Sequence, residues 1–313
     1  MSLAVVVPGV FSTIQDLGRD RHRSWGVPVG GSFDPSSAML ANALVGNPAE
    51  CAVLEMTYVG GVYEAQAPMA LALAGAPMKA TLRPKTGRDM LLEPVSAFPL
   101  KTGDQLVIEG TPQGIRSYLA VRGGWKTDVI LGSRSSEIPL KAGNILPCEP
   151  GVTPFRKAQG FATSPAAGEI FLRITDGPDF SLVEESWLNP ERFYKVGTLS
   201  NRMGIRLEGA RCDVEEQPER LSTPVAPGSI QMAGGIPLIL GAACGTMGGY
   251  PHVAQVITAD LARLAQARTG DRVRFVRMSV DEARRVSRSI RHEIRMRAEL
   301  VRMISSDGID NEW

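Results

Sequence analysis

Apolar residues recur along the chain in short runs, or in alternation with polar ones, at residues 4–7, 69–73, 105–108, 117–121, 170–174, 237–240 and 272–276. Each run has the length of a strand rather than of a helix. Between them the 33 Gly and 22 Pro are spread evenly instead of gathering in one tract, which suits many short strands joined by tight turns. The pattern predicts a mainly β protein.

Three segments break this pattern and read as helices. Asp34-Pro35-Ser36-Ser37 offers an N-cap acceptor followed by a proline at the first helical position, and Gly46 with Pro48 ends the helix. It is apolar nearly all round, which predicts burial. A second helix is expected from near Thr258, with Leu261 and Leu264 on one face, to a stop before Gly270. The third opens on the capping box Ser279-Val280-Asp281-Glu282 and carries Val286, Ile290, Ile294 and Val301 at helical spacing. Its arginines (Arg284, Arg285, Arg288, Arg291, Arg295 and Arg297) read as a solvated face paired with Glu293 and Glu299 rather than as a binding surface.

At 313 residues the chain exceeds what one hydrophobic core usually supports. The stretch between Cys148 and Gly168 has no strand pattern, so the expected division is a domain over 1–150, a second over 168–278 and a C-terminal amphipathic helix over 279–306. A weak echo links the halves. Pro8-Gly9 and Gly30-Gly31 reappear as Pro227-Gly228 and Gly248-Gly249, whereas Leu131-Gly132-Ser133-Arg134 resembles Leu199-Ser200-Asn201-Arg202 at a shorter separation, the order of a circular permutation. On that echo Arg134 completes a pocket at the Gly30-Gly31 turn, and Arg202 one at the Gly248-Gly249 turn.

The 34 Lys+Arg against 33 Asp+Glu leave a formal charge of +1, which does not single out nucleic acid as a partner. The 4 cysteines (Cys51, Cys148, Cys212 and Cys244) form no CxxC pair and there are 3 histidines, so no metal centre is expected and a reduced, cytoplasmic setting fits. The first apolar run, of about five residues, is short of a signal-peptide core, and the stretch 235–244 is well below the roughly 20 residues that span a bilayer. Neither export nor membrane insertion is expected.

Common catalytic signatures fail. In Gly123-Gly124-Trp125-Lys126-Thr127 a tryptophan separates glycine from lysine, so no P-loop forms; there is no GxGxxG after a strand and no GxSxG elbow, and His292-Glu293 lacks the second histidine of a zinc protease. What remains are dense clusters of polar residues among glycines. They span residues 8–19 and 26–34, then 131–136, 199–207 and 245–252.

These clusters resemble the family that includes the C-type subunit of bacterial 5-oxoprolinase, allophanate hydrolase subunit 2 and the carboxyltransferase domain of urea carboxylase. The matching blocks are PG-x-x-STIQDLGR…GVP-x-GG-x-x-D, ANALVGNP…LE-x-T, LGSRS, SNRMG-x-RL-x-G and PV-x-PG-x-IQ…GGYP…ADL-x-x-LAQ, and the resemblance covers essentially residues 4–277. The resemblance implies two cyclophilin-like β-barrel domains with a few short helices and a C-terminal helix. It also implies a subunit in ATP-dependent hydrolysis of 5-oxoproline to glutamate, working with a kinase-inhibitor-like B-type partner and an A-type subunit. Since no nucleotide motif is present, ATP is expected to be handled by another subunit or at an interface. No Ala-Met-Lys-Met biotin site occurs in this chain. The alternatives are a carboxyltransferase or allophanate hydrolase role in urea breakdown, and a non-catalytic regulator that binds the B-type partner. One departure stands out: where members often carry an acidic residue and a glutamine before the Thr-x-Gly-Gly-Tyr-Pro turn, this chain has Gly241-Ala242-Ala243-Cys244-Gly245.

Within the clusters the catalytic candidates are Gln15, Asp16, Glu55 and His252. Gln15 and Asp16 are placed to position a water or an amide, though Asp16 is equally suited to accept backbone N–H groups in a turn. Glu55, an acid in an apolar strand, is either a catalyst with a shifted pKa or the buried partner of an arginine. His252 follows a turn that would present a general base. For anion binding the candidates are Arg19, Arg134, Arg202 and Arg206, whose forked donors suit carboxylate or phosphate but equally brace turns against acids. With them stand Gly30, Gly31, Ser133, Ser135, Asn201, Thr246, Gly248, Gly249 and Tyr250, the last expected to pack with its hydroxyl toward the pocket.

Overall fold

The computed structural model describes residues 1–149, 156–157, 168–215 and 220–304. The chain is mainly β and divides into two compact units: residues 1–18, 34–164 and 293–313 form one, and residues 19–33 and 165–292 the other. The patternless stretch after Cys148 lies mostly outside the described residues.

The first unit is built on two antiparallel sheets of six strands each. One runs in the order Ile145–Pro147, Ser2–Val7, Val59–Ala65, Gln105–Gly110, Ala80–Arg83, Met90–Leu92; the other in the order Arg156–Lys157, Ser96–Leu100, Met69–Gly75, Arg116–Val121, Val53–Thr57, Phe11–Gln15. Leu3, Tyr63 and Leu106 of the first sheet meet Leu54, Leu71 and Leu119 of the second in one apolar cluster. The opposite face of the second sheet is covered by helix α1 (Pro35–Leu44), whose Ala38, Ala41 and Leu44 rest on Val53, Ala72, Ala74 and Ala120. Burial on both faces explains why Met69–Gly75 is apolar without alternation. The Asp34 carboxylate accepts the Ser37 N–H at 3.1 Å, the cap anticipated from sequence, with Pro35 in the first turn.

The second unit is a closed seven-stranded barrel in the order Glu169–Asp176, His252–Val256, Ser229–Ala233, Ile236–Leu240, Gly204–Glu208, Tyr194–Val196, Arg272–Arg277. Closure comes from a parallel pairing of the last strand with the first, Glu169 opposite Arg272 through Ile174 opposite Arg277. Ile170, Leu172, Ile205, Ile230, Ile239, Val253 and Val273 fill the interior, with the Trp187 and Tyr194 rings packed at a tilt against Phe275.

The second expected helix is shorter than its pattern. Thr258–Asp260 is a 3-10 turn and only α2 (Leu261–Ala265) is α-helical, because Asp260 is drawn into the interior to pair with Arg173 at 2.6 Å. The third, α3 (Val280–Ile304), starts at its capping box, where the Ser279 hydroxyl and N–H both donate to the Glu282 carboxylate. No helix among the described residues is long and apolar enough to cross a membrane.

Candidate functional site

In the first unit Asp16 follows the strand Phe11–Gln15 and holds the loop Ser133-Arg134-Ser135 onto it. Oδ1 accepts the Ser133 and Ser135 hydroxyls at 2.6 Å each and the Gly18 N–H at 2.8 Å, while Oδ2 accepts the Arg134 backbone N–H at 2.6 Å. The Ser135 hydroxyl in turn accepts the Asp16 N–H at 3.0 Å. Burial pushes the Asp16 carboxyl upward, but the hydrogen bonds from Ser133, Ser135, Arg134 and Gly18 outweigh it and hold the group below its ordinary value. Asp16 is therefore a clamp with its oxygens engaged. The Arg134 guanidinium bonds the Thr127 carbonyl. Gln15, fully buried, donates to Thr13 Oγ1 at 2.9 Å and to the Ser136 carbonyl at 2.8 Å, and its Oε1 has no hydrogen-bond partner among the described residues.

Glu55 lies on the neighbouring strand, 1% exposed. Its carboxylate accepts the Tyr118 hydroxyl at 2.9 Å and faces Arg116 Nε at 3.6 Å, and the Tyr118 oxygen accepts the Asp34 N–H at 2.7 Å. Burial first, then the Glu55 charge, push the Tyr118 hydroxyl well above its ordinary range. Of the two readings of Glu55, the geometry matches the buried partner of an arginine, tied through Tyr118 to the start of α1.

In the second unit three segments meet around Arg202, which is 4% exposed. Its Nη2 donates to the Gly31 carbonyl at 2.8 Å, the Gly30 N–H donates to the Ala242 carbonyl at 3.2 Å, and the Ala243 N–H donates to the Arg202 carbonyl at 3.0 Å. Gly30 and Gly31 both take positive φ (65° and 86°), a backbone that other residues resist. A Cβ at Gly241 would overlap the Arg202 carbonyl. The neighbouring Ser32 hydroxyl is buried without a hydrogen-bond partner among the described residues. Arg202 thus belongs with the Gly30-Gly31 turn, not with Gly248-Gly249 as the internal echo suggested. The Arg19 N–H donates to the Val29 carbonyl at 2.9 Å in the same unit.

His252 opens a barrel strand, and its N–H donates to Asp179 Oδ2 at 2.7 Å, a carboxylate that also pairs with Arg220. Burial lowers the imidazole pKa, and Nε2 has no hydrogen-bond partner among the described residues. In the same unit Gln231 Nε2 donates to the Tyr250 carbonyl at 3.0 Å, and a Cβ at Gly248 would overlap the Gln231 amide. Tyr250 is 52% exposed, so its ring is not the packing element expected. Gly249 is exposed, and the Thr246 carbonyl accepts the Val225 N–H at 3.0 Å. Asn201 caps its own turn by accepting the Met203 N–H at 2.8 Å, and Arg206 is exposed.

Sequence reasoning missed Ser32, Arg116, Tyr118, Asp179 and Arg220. Ser32 lay inside the glycine-rich cluster at residues 26–34, and Asp179 had the turn-forming Asp176-Gly177-Pro178-Asp179. Among the described residues no group of three or more His, Cys, Asp or Glu is placed to hold a metal ion. The Gly123-Gly124 pair is no phosphate cradle: Trp125 is 1% exposed in the core and Lys126 pairs with Glu149 at 2.8 Å.

A carboxyltransferase domain model, subdomain A and B, matches residues 25–277. The chain belongs to this family. It is similar to the C-type subunit of the Escherichia coli 5-oxoprolinase, 32% identical over 90% of this chain and 93% of that one, and to its Haemophilus influenzae counterpart, 29% identical over 88% and 91%. The crystal structure of the K. lactis urea amidolyase superposes with a TM-score of 0.84 at 26% identity, covering 95% of this chain and 20% of that much longer one. Family membership accounts for the glycine-rich blocks occurring together in one chain, and the Arg202 turn brings two of them into contact.

Proposed function

We propose that the chain is the C-type subunit of an ATP-dependent amidohydrolase that opens 5-oxoproline to glutamate together with a B-type partner. The observation that carries this reading is the 32% identity spread over 90% of the chain and 93% of the E. coli 5-oxoprolinase component. The urea amidolyase, by comparison, is matched over only 20% of its length.

A five-membered lactam is a poor electrophile, and its opening places negative charge on the amide oxygen, which preorganised donors stabilise. In this chain the turn at Gly30-Gly31 is fixed by Arg202 and Ala242, and beside it the buried Ser32 hydroxyl has no hydrogen-bond partner among the described residues. Those groups are assigned to hold the substrate's polar end, with Arg202 positioning the turn. Nucleotide chemistry is assigned to another subunit, because the residues at Gly123 to Lys126 do not fit a phosphate, and no step on this chain is routed through it.

The test is glutamate release from 5-oxoproline and ATP, measured with the purified chain alone and after reconstitution with the B-type and A-type subunits. Turnover is expected only on reconstitution, and Ser32→Ala is expected to lower kcat/KM. Substantial turnover by the chain alone, or none by the complete set, overturns the reading. Activity with a biotinylated carrier instead would favour carboxyl transfer, the second reading, which the family description supports.

A further inference from the structure

In the second unit a cavity of about 440 Å³ lies between α3, the strand Glu169–Asp176 and the end of the strand His252–Val256. Its charged lining has one sign. Arg284, Arg288 and Arg291 supply guanidinium groups, Thr175, Thr258 and Ser287 supply hydroxyls, and no carboxylate among the described residues lines it. The three arginines follow the i, i+4, i+7 spacing that puts them on one helix face, where like charges repel unless something neutralises them.

On the barrel's terminal strands several arginines are matched: Arg173 with Asp260, Arg274 with Glu169 and Arg277 with Asp176, each at 2.6 Å. In the cavity Arg284 faces Asp281 at 3.5 Å, and Arg288 and Arg291 have no ion pair among the described residues. The expectation that this helix face is internally paired therefore holds at Arg297, which pairs with Glu293, and fails at Arg288 and Arg291. A volume of this size is that of a small-molecule site. Forked guanidinium donors beside hydroxyls match tetrahedral, multiply charged oxyanions.

We propose that this cavity binds an oligophosphate anion. It shares no residue with the Arg202 turn or the His252 group, so the inference stands apart from the proposed activity.

The experiment is calorimetric titration of the full chain with inorganic pyrophosphate at low salt. One-to-one binding is expected, weakened about tenfold by Arg288→Gln or by Arg291→Gln and about a hundredfold by the pair, consistent with the loss of charge-assisted hydrogen bonds. Arg285→Gln, on the same helix but outside the cavity, is expected to change affinity less than about twofold. Absence of saturable binding overturns the proposal. So does an equal loss in Arg285→Gln, which would make the attraction a diffuse field, or citrate binding as tightly as pyrophosphate. Competition by ADP would assign the oligophosphate to a nucleotide, and its failure to compete would confine the site to the inorganic anion; both results retain the assignment.

Discussion

The Arg202 guanidinium donates to the Gly31 carbonyl at 2.8 Å, joining residues 171 positions apart in the chain. Both are buried, so neither group has water as a substitute partner. Arg202→Ala is expected to destabilise the protein by about 1–3 kcal/mol and, in the fraction that stays folded, to lower kcat/KM of the reconstituted complex. Native kcat/KM with only a lowered Tm would reduce Arg202 to a brace.

Asp16 gives a pH signature. Its carboxyl sits below the ordinary value in the folded chain, so on acidification the unfolded chain takes up the proton first. The stabilisation is full above the unfolded value of about 4 and fades as pH falls through the lower folded value. Asp16→Asn is expected to cost about 1.5–3 kcal/mol at neutral pH, with the gap to the native chain closing in acid. Urea midpoints across that range measure it, and a gap independent of pH contradicts the clamp.

Glu55→Gln removes the carboxylate that faces the Arg116 guanidinium, a side chain only 3% exposed. A loss of about 3–5 kcal/mol is expected. Tyr118→Phe removes a donor to Glu55 and an acceptor for the Asp34 N–H, for an expected loss of about 1–3 kcal/mol. The double variant should fall short of the sum, since the pair shares one network. Full additivity in chemical denaturation would contradict that network.

Leu131 takes φ 52° in an exposed turn closed by Ile130 and Ser133. Left-handed backbone is costly for leucine and tolerated by asparagine. Leu131→Asn is expected to raise stability by about 1 kcal/mol, read as a higher urea midpoint with an unchanged m-value.

Local order is written in neighbouring residues. The runs at 69–73 and 170–174 lie within the strands Met69–Gly75 and Glu169–Asp176, because strand length and flanking turns depend on adjacent positions. The caps at Asp34 and Ser279 were legible for the same reason: acceptor and donor are three residues apart. The site was legible only as clusters. Which cluster meets which depends on long-range contacts, since Arg202 could be matched to either glycine turn on spacing alone and the folded chain brings it to Gly31. Likewise Glu55, Arg116 and Tyr118 become one buried group only through the antiparallel register that sets Glu55 opposite Tyr118. Closure of the barrel by Glu169–Asp176 against Arg272–Arg277 arises in the same way. Its hydrogen bonds join distant backbone groups, and backbone groups carry no record in the sequence of which partner they will find.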